Sequence, residues 1–219
     1  MASPSRTRLS REDRMEQTLD TAHSLFAERG YAAVTMDEIA AAVGVTKPLI
    51  YNYFGNKESL YIACMERSGD ALVEAISLAV ADAADPSQAF ERGVRAFFSF
   101  IDTDRAAWAV LFDETLPHGG EVIERVSYYR SQLLDFVAAS TLSRMPAKAR
   151  QSESVRTEVE AVATAVIGAA EAMGRWWLAG GSMTASEAAE LLISTVEPGL
   201  LARSAPNTPK AVTEGDPPA

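Results

Sequence analysis

Residues 35–57 read TMDEIAAAVGVTKPLIYNYFGNK, and two helix starts follow one another within them. Thr35 with Glu38 three residues on has the form of a capping box. The hydroxyl accepts from the third helical N–H, and the glutamate reaches back to the N-cap amide. The helix this opens carries Ile39 and Val43 on one face and stops at Gly44, a residue suited to the position after a helix end. Thr46 then stands as a second N-cap, with Pro48 in the first turn, where a missing N–H removes no bond. That helix holds Ile50 and Tyr51 and runs out at Phe54-Gly55. Two short helices joined by Gly44-Val45 have the layout of a helix-turn-helix, whose second helix enters the major groove.

The side chains suit that task. Thr46 and the N–H groups beside it form a helix N-terminus able to hold a phosphate. Lys47 projects from the first turn toward a guanine edge or a phosphate, and Asn52 offers a hydrogen bond to a base edge or the backbone. Tyr51, Tyr53 and Lys57 place donors suited to phosphate oxygens around the helix end. The plainer readings are a core role for Phe54 and for Tyr51, and a solvated surface lysine for Lys47. For Tyr51 phosphate contact is preferred, because Lys47 lies one helical turn away on the same face.

Outward from this segment the chain continues as helices. A start at Ser10 with Asp13 leads through Met15, Leu19, Ala22, Leu25 and Phe26 to Gly30. Asn56 caps a long helix through Leu60, Ile62, Met65 and Leu72 to about residue 84. Asp85-Pro86-Ser87-Gln88 opens the next, with Phe90, Val94, Phe97, Phe98 and Ile101 on one face, and Asp104 caps a short helix through Trp108 and Leu111. Further apolar stripes cover Val122–Phe136 and residues 152–179. Gly180-Gly181 breaks the latter, and Thr184 with Glu187 caps a last helix that Pro198 and Gly199 weaken toward its end. The fold class expected is all-α, about nine helices. It comprises a flexible basic arm at 1–9, a three-helix helix-turn-helix domain at 10–56, a larger helical domain at 57–203 and a disordered tail at 204–219.

Composition bounds the function. The chain has 219 residues, 47% hydrophobic and 23% charged, an ordinary globular balance. Its single cysteine, Cys64, allows no intramolecular disulfide and fits a reducing cytoplasm. No signal peptide or membrane span is expected. The two histidines, His23 and His118, lack zinc-ligand spacing, so neither metal nor cofactor is expected. Enzymatic signatures are missing too, namely a Glu-x-x-His pair, a phosphate-binding glycine loop and a G-x-S-x-G elbow. The net charge of −10 opposes nucleic-acid binding at first sight. It is unevenly spread, however. Residues 1–67 hold eight Lys/Arg against nine Asp/Glu, whereas residues 68–219 hold twelve against twenty-one.

The stretch LFAERGYAAVTMDEIAAAVGVTKPLIYNYFGNKESLY, residues 25–61, resembles the DNA-binding domain of the TetR family of bacterial regulators. The matching features are the Phe26…Gly30-Tyr31 corner, Thr35 before Ile39-Ala40, Gly44-Val45, and Leu49-Ile50-Tyr51…Phe54 followed by Lys57. The resemblance implies that Thr35, Thr46, Lys47, Pro48, Tyr51, Asn52, Tyr53 and Lys57 contact a double-stranded operator. Tyr53 stands where histidine is common, and a phenol still donates to a phosphate.

It further implies a ligand pocket in helices four to seven and a homodimer through the last two helices. Expected pocket residues are Phe97, Phe98, Ile101, Trp108, Phe112, Tyr129, Leu133, Met173 and Trp177. Expected dimer residues are Ile167, Gly168, Glu171 and Gly174, with Leu191 and Thr195 on the final helix. The glycines have an alternative role, relieving crowding inside one subunit. Glu171 is either a ligand anchor or a partner of Arg175 at i,i+4. The segments Ala96–Ile101 and Arg175–Ala179 look similar to the branch that senses long-chain fatty acyl-CoA, with an apolar or cationic drug-like effector as the competing case. The expected function is a dimeric repressor released from DNA by a small apolar or amphipathic ligand. A ligand-dependent activator and a helical lipid carrier are the alternatives.

Overall fold

A computed structural model describes residues 10–117 and 119–204. The expected arm at 1–9, His118 and residues 205–219 of the expected tail lie outside the described residues. Helices α1 (Arg11–Ala33), α2 (Met36–Val43) and α3 (Lys47–Phe54) form the N-terminal head. They are followed by α4 (Lys57–Ala81), α5 (Pro86–Thr103), α6 (Arg105–Leu111), α7 (Glu121–Ser143), α8 (Glu153–Leu178) and α9 (Ala185–Ser204). A single 3-10 turn at Ala149–Gln151 precedes α8. The described residues contain no strand.

The starts are where the sequence puts them. Ser10 with Asp13 and Thr35 with Glu38 make complete capping boxes, and Asn56, Asp85 and Asp104 each accept from the third helical N–H. Thr184 Oγ1 accepts from the Glu187 amide in the same way. Thr46 is the exception, because its side chain makes no capping bond. The third helix therefore starts on Pro48 and on packing. An eight-residue helix is marginal alone, and Ile39, Val43 and Ile50, all buried, fix α2 and α3 against Phe26, Leu60 and Tyr61. Each fully buried Ile or Leu adds about 1.5–3 kcal/mol.

Gly30 breaks α1 as expected, at φ 75°, ψ 163°, and Tyr31–Ala33 follow as a short turn. The break serves packing as well as direction, since a Cβ there would lie 2.8 Å from Thr115 Oγ1. Pro198, expected to weaken the last helix, does not interrupt it. The final helix runs on to Ser204, and buried Leu200 beyond the proline supplies a packing reason to continue.

The long α4 is the centre of the molecule and packs against α1, α5, α6 and α7. Helix α1 also lies on α6, α5 lies on α9, and α7 lies on α8. Rings tie head to body, with Tyr61 of α4 edge-on to Phe26 at 4.9 Å and to Tyr31 at 5.0 Å. No described helix is long and apolar enough to cross a membrane.

Candidate functional site

Helix α3 presents its polar face outward. Gly44 adopts the left-handed conformation at φ 76°, and its N–H and that of Val45 both donate to the Ala40 carbonyl at 3.0 Å. This tight turn sets α3 across α2. Thr46, Lys47, Pro48, Tyr51 and Asn52 are all exposed, while Ile50 is fully buried beneath them. With no capping bond of its own, the Thr46 hydroxyl remains available to a ligand. Lys47 Nζ pairs with Asp37 Oδ2 at 2.8 Å and lies 5.9 Å from the Tyr51 ring centroid, confirming the shared face of the two residues. Asp37 raises the Lys47 pKa. Tyr53 is half-buried, with Arg11 over its ring at 5.7 Å. Phe54 is half-buried on the core, the plainer role expected for it.

Thr35 and Lys57, outside α3, are also engaged within the protein. The Thr35 hydroxyl is used in the capping box with Glu38. Lys57, at the start of α4, holds its ammonium 4.3 Å from the Tyr31 ring centroid, and burial lowers its pKa.

A seam the sequence did not announce joins this head to the body. Asp113, in the loop after α6, accepts the Tyr31 amide on Oδ2 at 2.6 Å, and Tyr61 Oη, which donates to the Val110 carbonyl at 2.6 Å, lies 3.4 Å from the same oxygen. Thr115 Oγ1 accepts the Ala32 amide at 3.2 Å, and Asp113 Oδ1 accepts the Thr115 amide at 2.7 Å. The loop thus grips the corner that Gly30 creates. An isolated Asp and Thr before a proline carry no periodicity, so nothing in the sequence distinguishes them from ordinary loop polarity.

Two cavities stand out among the described residues of the body. One, of about 410 Å³, lies among α4, α5, α7 and α8, with Ile76, Phe90, Val94, Phe97, Phe136 and Ile167 among its walls. The other, of about 400 Å³, is lined by Leu72, Leu111, Phe112, Leu116, Tyr129 and others, with Asp113, Arg130, Glu171 and Arg175 as its charged groups. Of the expected pocket residues, Phe97 lines the first, Phe112 and Tyr129 the second, and Leu133 both. Phe98, Ile101, Trp108, Met173 and Trp177 line neither. Phe98 and Ile101 are fully buried core, and Met173 packs half-buried against it. Trp108 stacks on Phe112 at 3.9 Å, and Trp177 Nε1 donates to the Met183 carbonyl at 2.6 Å. An apolar stripe marks which residues turn inward, but not where packing stops short of closing.

The expected dimer residues divide likewise. Ile167 lines the first cavity and Glu171 the second. A Cβ at Gly174 would lie 2.9 Å from the Trp108 ring, so this glycine relieves crowding within the subunit. All three are buried within the single chain. Gly168 has open space where a Cβ would point, and Leu191 and Thr195 are exposed on α9. The outward face of α8 runs through Ala161, Ala165, Gly168, Ala172 and Trp176, one strip round from the expected one. Glu171 also differs from expectation. Its partner is Arg130, at 2.8 Å, and Arg175 instead approaches Glu114 at 3.6 Å.

With this geometry in hand, likeness to known proteins is informative. A family model described as "Bacterial regulatory proteins, tetR family" matches residues 19–64. A second, "Tetracyclin repressor-like, C-terminal domain", matches residues 86–197. The HTH-type transcriptional activator FasR of Mycolicibacterium smegmatis is 40% identical over 106 residues, which is 48% of each chain. The HTH-type transcriptional repressor KstR2 of Rhodococcus jostii is 30% identical over 189 residues, 85% of this chain and 91% of that one. Thus the matched region spans only about half of FasR but nearly all of KstR2. A solved TetR-like regulator from Rhodococcus sp. RHA1 superposes with a TM-score of 0.71 at 32% identity, covering 88% of this chain and 98% of that chain. The chain therefore belongs to the TetR family of bacterial DNA-binding transcriptional regulators.

Proposed function

We propose that the protein is a dimeric repressor released from its operator by a small apolar or amphipathic ligand, for which a fatty acyl-CoA is the first candidate. Residues 10–56 serve as the reading head and residues 57–203 as the effector-binding and dimerisation body. Thr46, Lys47, Pro48, Tyr51 and Asn52 meet the operator, with Tyr53 and Lys57 at the margin and Thr35 at the start of α2.

The observation that carries the reading is the loop after α6. Asp113 holds the Tyr31 amide of the head at 2.6 Å, while Asp113 and its neighbours Phe112 and Leu116 line a cavity of the body. A ligand entering that cavity presses on the residues that fix the head. Ligand binding and head orientation are then one equilibrium, and a ligand preferring the shifted form lowers the population able to span two half-sites. Repression corresponds to a ligand that prefers the form with the latch open. Both signs occur among relatives, FasR being named an activator and KstR2 a repressor. The dimer is supported by the exposed Ala165, Leu191 and Thr195, beside half-buried Gly168, and by the few base pairs that one short helix can read.

A mobility-shift assay on DNA upstream of the protein's own gene, with and without dodecanoyl-CoA, tests this reading. Wild type is expected to shift the fragment, Lys47→Ala and Tyr51→Ala to weaken the shift about tenfold or more, and dodecanoyl-CoA to reverse it. Tighter binding with dodecanoyl-CoA would replace repressor by activator.

A further inference from the structure

The two cavities differ in what they leave unsatisfied. In the first, the polar side chains of the wall are three, each with a hydrogen bond inside the protein, and Asp85 lies at the exposed edge. Asp85 Oδ1 accepts from the Gln88 amide, Ser140 Oγ donates to the Pro86 carbonyl, and Ser143 Oγ donates to the Ala139 carbonyl. What remains is hydrocarbon, and it asks for hydrocarbon.

In the second cavity Tyr129 Oη donates toward Asp70 and the Glu66 carbonyl, Asp113 accepts from the head, Arg130 donates to Glu171 Oε2, and Arg175 approaches Glu114. One atom is left over. Glu171 is buried, with a side chain only 8% exposed, and its Oε1 is buried without a hydrogen-bond partner. Arg130 and Arg175, by contrast, are nearly half exposed and reach solvent. Burial raises the Glu171 pKa, and the two arginines oppose that rise. A ligand that fills this space without a donor leaves that acceptor unsatisfied. A ligand that brings a donor satisfies it.

The cavities share Leu133 of α7 in their linings, and Ala170 and Glu171 are consecutive residues on opposite sides of the divide. Leu133 thus borders both a hydrocarbon compartment and a compartment that contains an unpartnered acceptor.

We propose that the effector is an amphiphile whose apolar chain occupies the first cavity and whose uncharged hydrogen-bond donor, a hydroxyl or amide N–H, sits on Glu171 Oε1, Leu133 turning aside to join the two spaces. This rests on the ligand-released regulator described above and specifies what its ligand must carry. A carboxylate in the same place meets Glu171 with like charge. An ether or ester of equal length leaves the oxygen stranded.

Matched ten-carbon probes separate these cases. Full-length protein is titrated by calorimetry at pH 8 with 1-decanol, 1-methoxydecane and decanoate, and the fluorescence of Trp108, stacked on Phe112 at the cavity wall, provides a second readout. Wild type is expected to bind the alcohol at least about tenfold more tightly than the ether. Glu171→Leu should remove that preference by weakening the alcohol alone, and Glu171→Gln, which keeps an acceptor oxygen, should retain it. Should Glu171→Leu not fold, the wild-type ratio and Glu171→Gln still decide the matter. Equal binding of alcohol and ether, a preference that survives Glu171→Leu, or tightest binding of decanoate overturns the inference and leaves the regulator reading standing. Binding of none of the three overturns the inference together with the apolar-effector reading beneath it.

Discussion

At the scale of single residues, Glu38 shows how one carboxylate organises the start of the reading motif. Oε2 accepts from the Thr35 amide and hydroxyl, both at 2.8 Å, and Oε1 accepts from Arg29 at 2.8 Å. These hydrogen bonds, Arg29 first, hold its pKa down at about 2. A folded-state pKa below the unfolded one contributes stability that is present above about pH 4.5 and is lost as pH falls through about 2. Glu38→Gln should therefore lower Tm at pH 7, with the difference from wild type shrinking through that window in an acid melting series. Gly174 makes a steric claim of the same size. Alanine there places a Cβ 2.9 Å from the Trp108 ring, and overpacking of this kind costs about 1–3 kcal/mol. Urea unfolding of Gly174→Ala measures it, and an unchanged midpoint would show that the ring yields freely.

At the scale of elements, the loop from Phe112 to Pro117 joins head to body and is the connection through which we propose that regulation runs. Asp113→Ala removes the acceptor of the Tyr31 amide and should destabilise the chain by about 1–3 kcal/mol. Hydrogen exchange at the Tyr31 and Ala32 amides should quicken by about tenfold or more, while amides in the middle of α8 keep their protection. Uniform loosening instead would mean that the loop is ordinary packing and not a latch. The elements themselves were legible because their signals are local. Thr35-Glu38, Asn56, Asp85-Pro86 and Thr184-Glu187 are caps readable within four residues. The exposed side of α3 followed from Ile50 turning inward and Lys47 sharing a face with Tyr51. What stayed hidden depends on residues far apart in the chain. Asp113 meets Tyr31 across the seam, Arg130 of α7 displaces Arg175 as the partner of Glu171, and the cavities are gaps between stripes that each looked complete. Ile167, Glu171 and Gly174 lie one strip round α8 from its exposed face and are buried within the chain.

At the scale of the whole molecule, charge and assembly follow the division into head and body. The acidic excess lies beyond residue 67, so the net charge of −10 is carried mainly by the body. Operator affinity should still fall steeply with added salt, because phosphate contacts release counterions, and Lys47→Ala should lessen that slope by about one unit. Light scattering should give a mass near twice 23.5 kDa. Ala165→Arg, on the outward face of α8, should return it to the single-chain value and weaken operator binding with it. The central claim is that α3 reads DNA. Selection of bound fragments from sheared genomic DNA, by wild type in parallel with Lys47→Ala and Tyr51→Ala, tests it most directly. The account predicts a small set of fragments sharing a two-fold symmetric sequence, recovered by wild type and lost with either variant. Recovery of no fragment above background, or the same fragments with all three proteins, would contradict it.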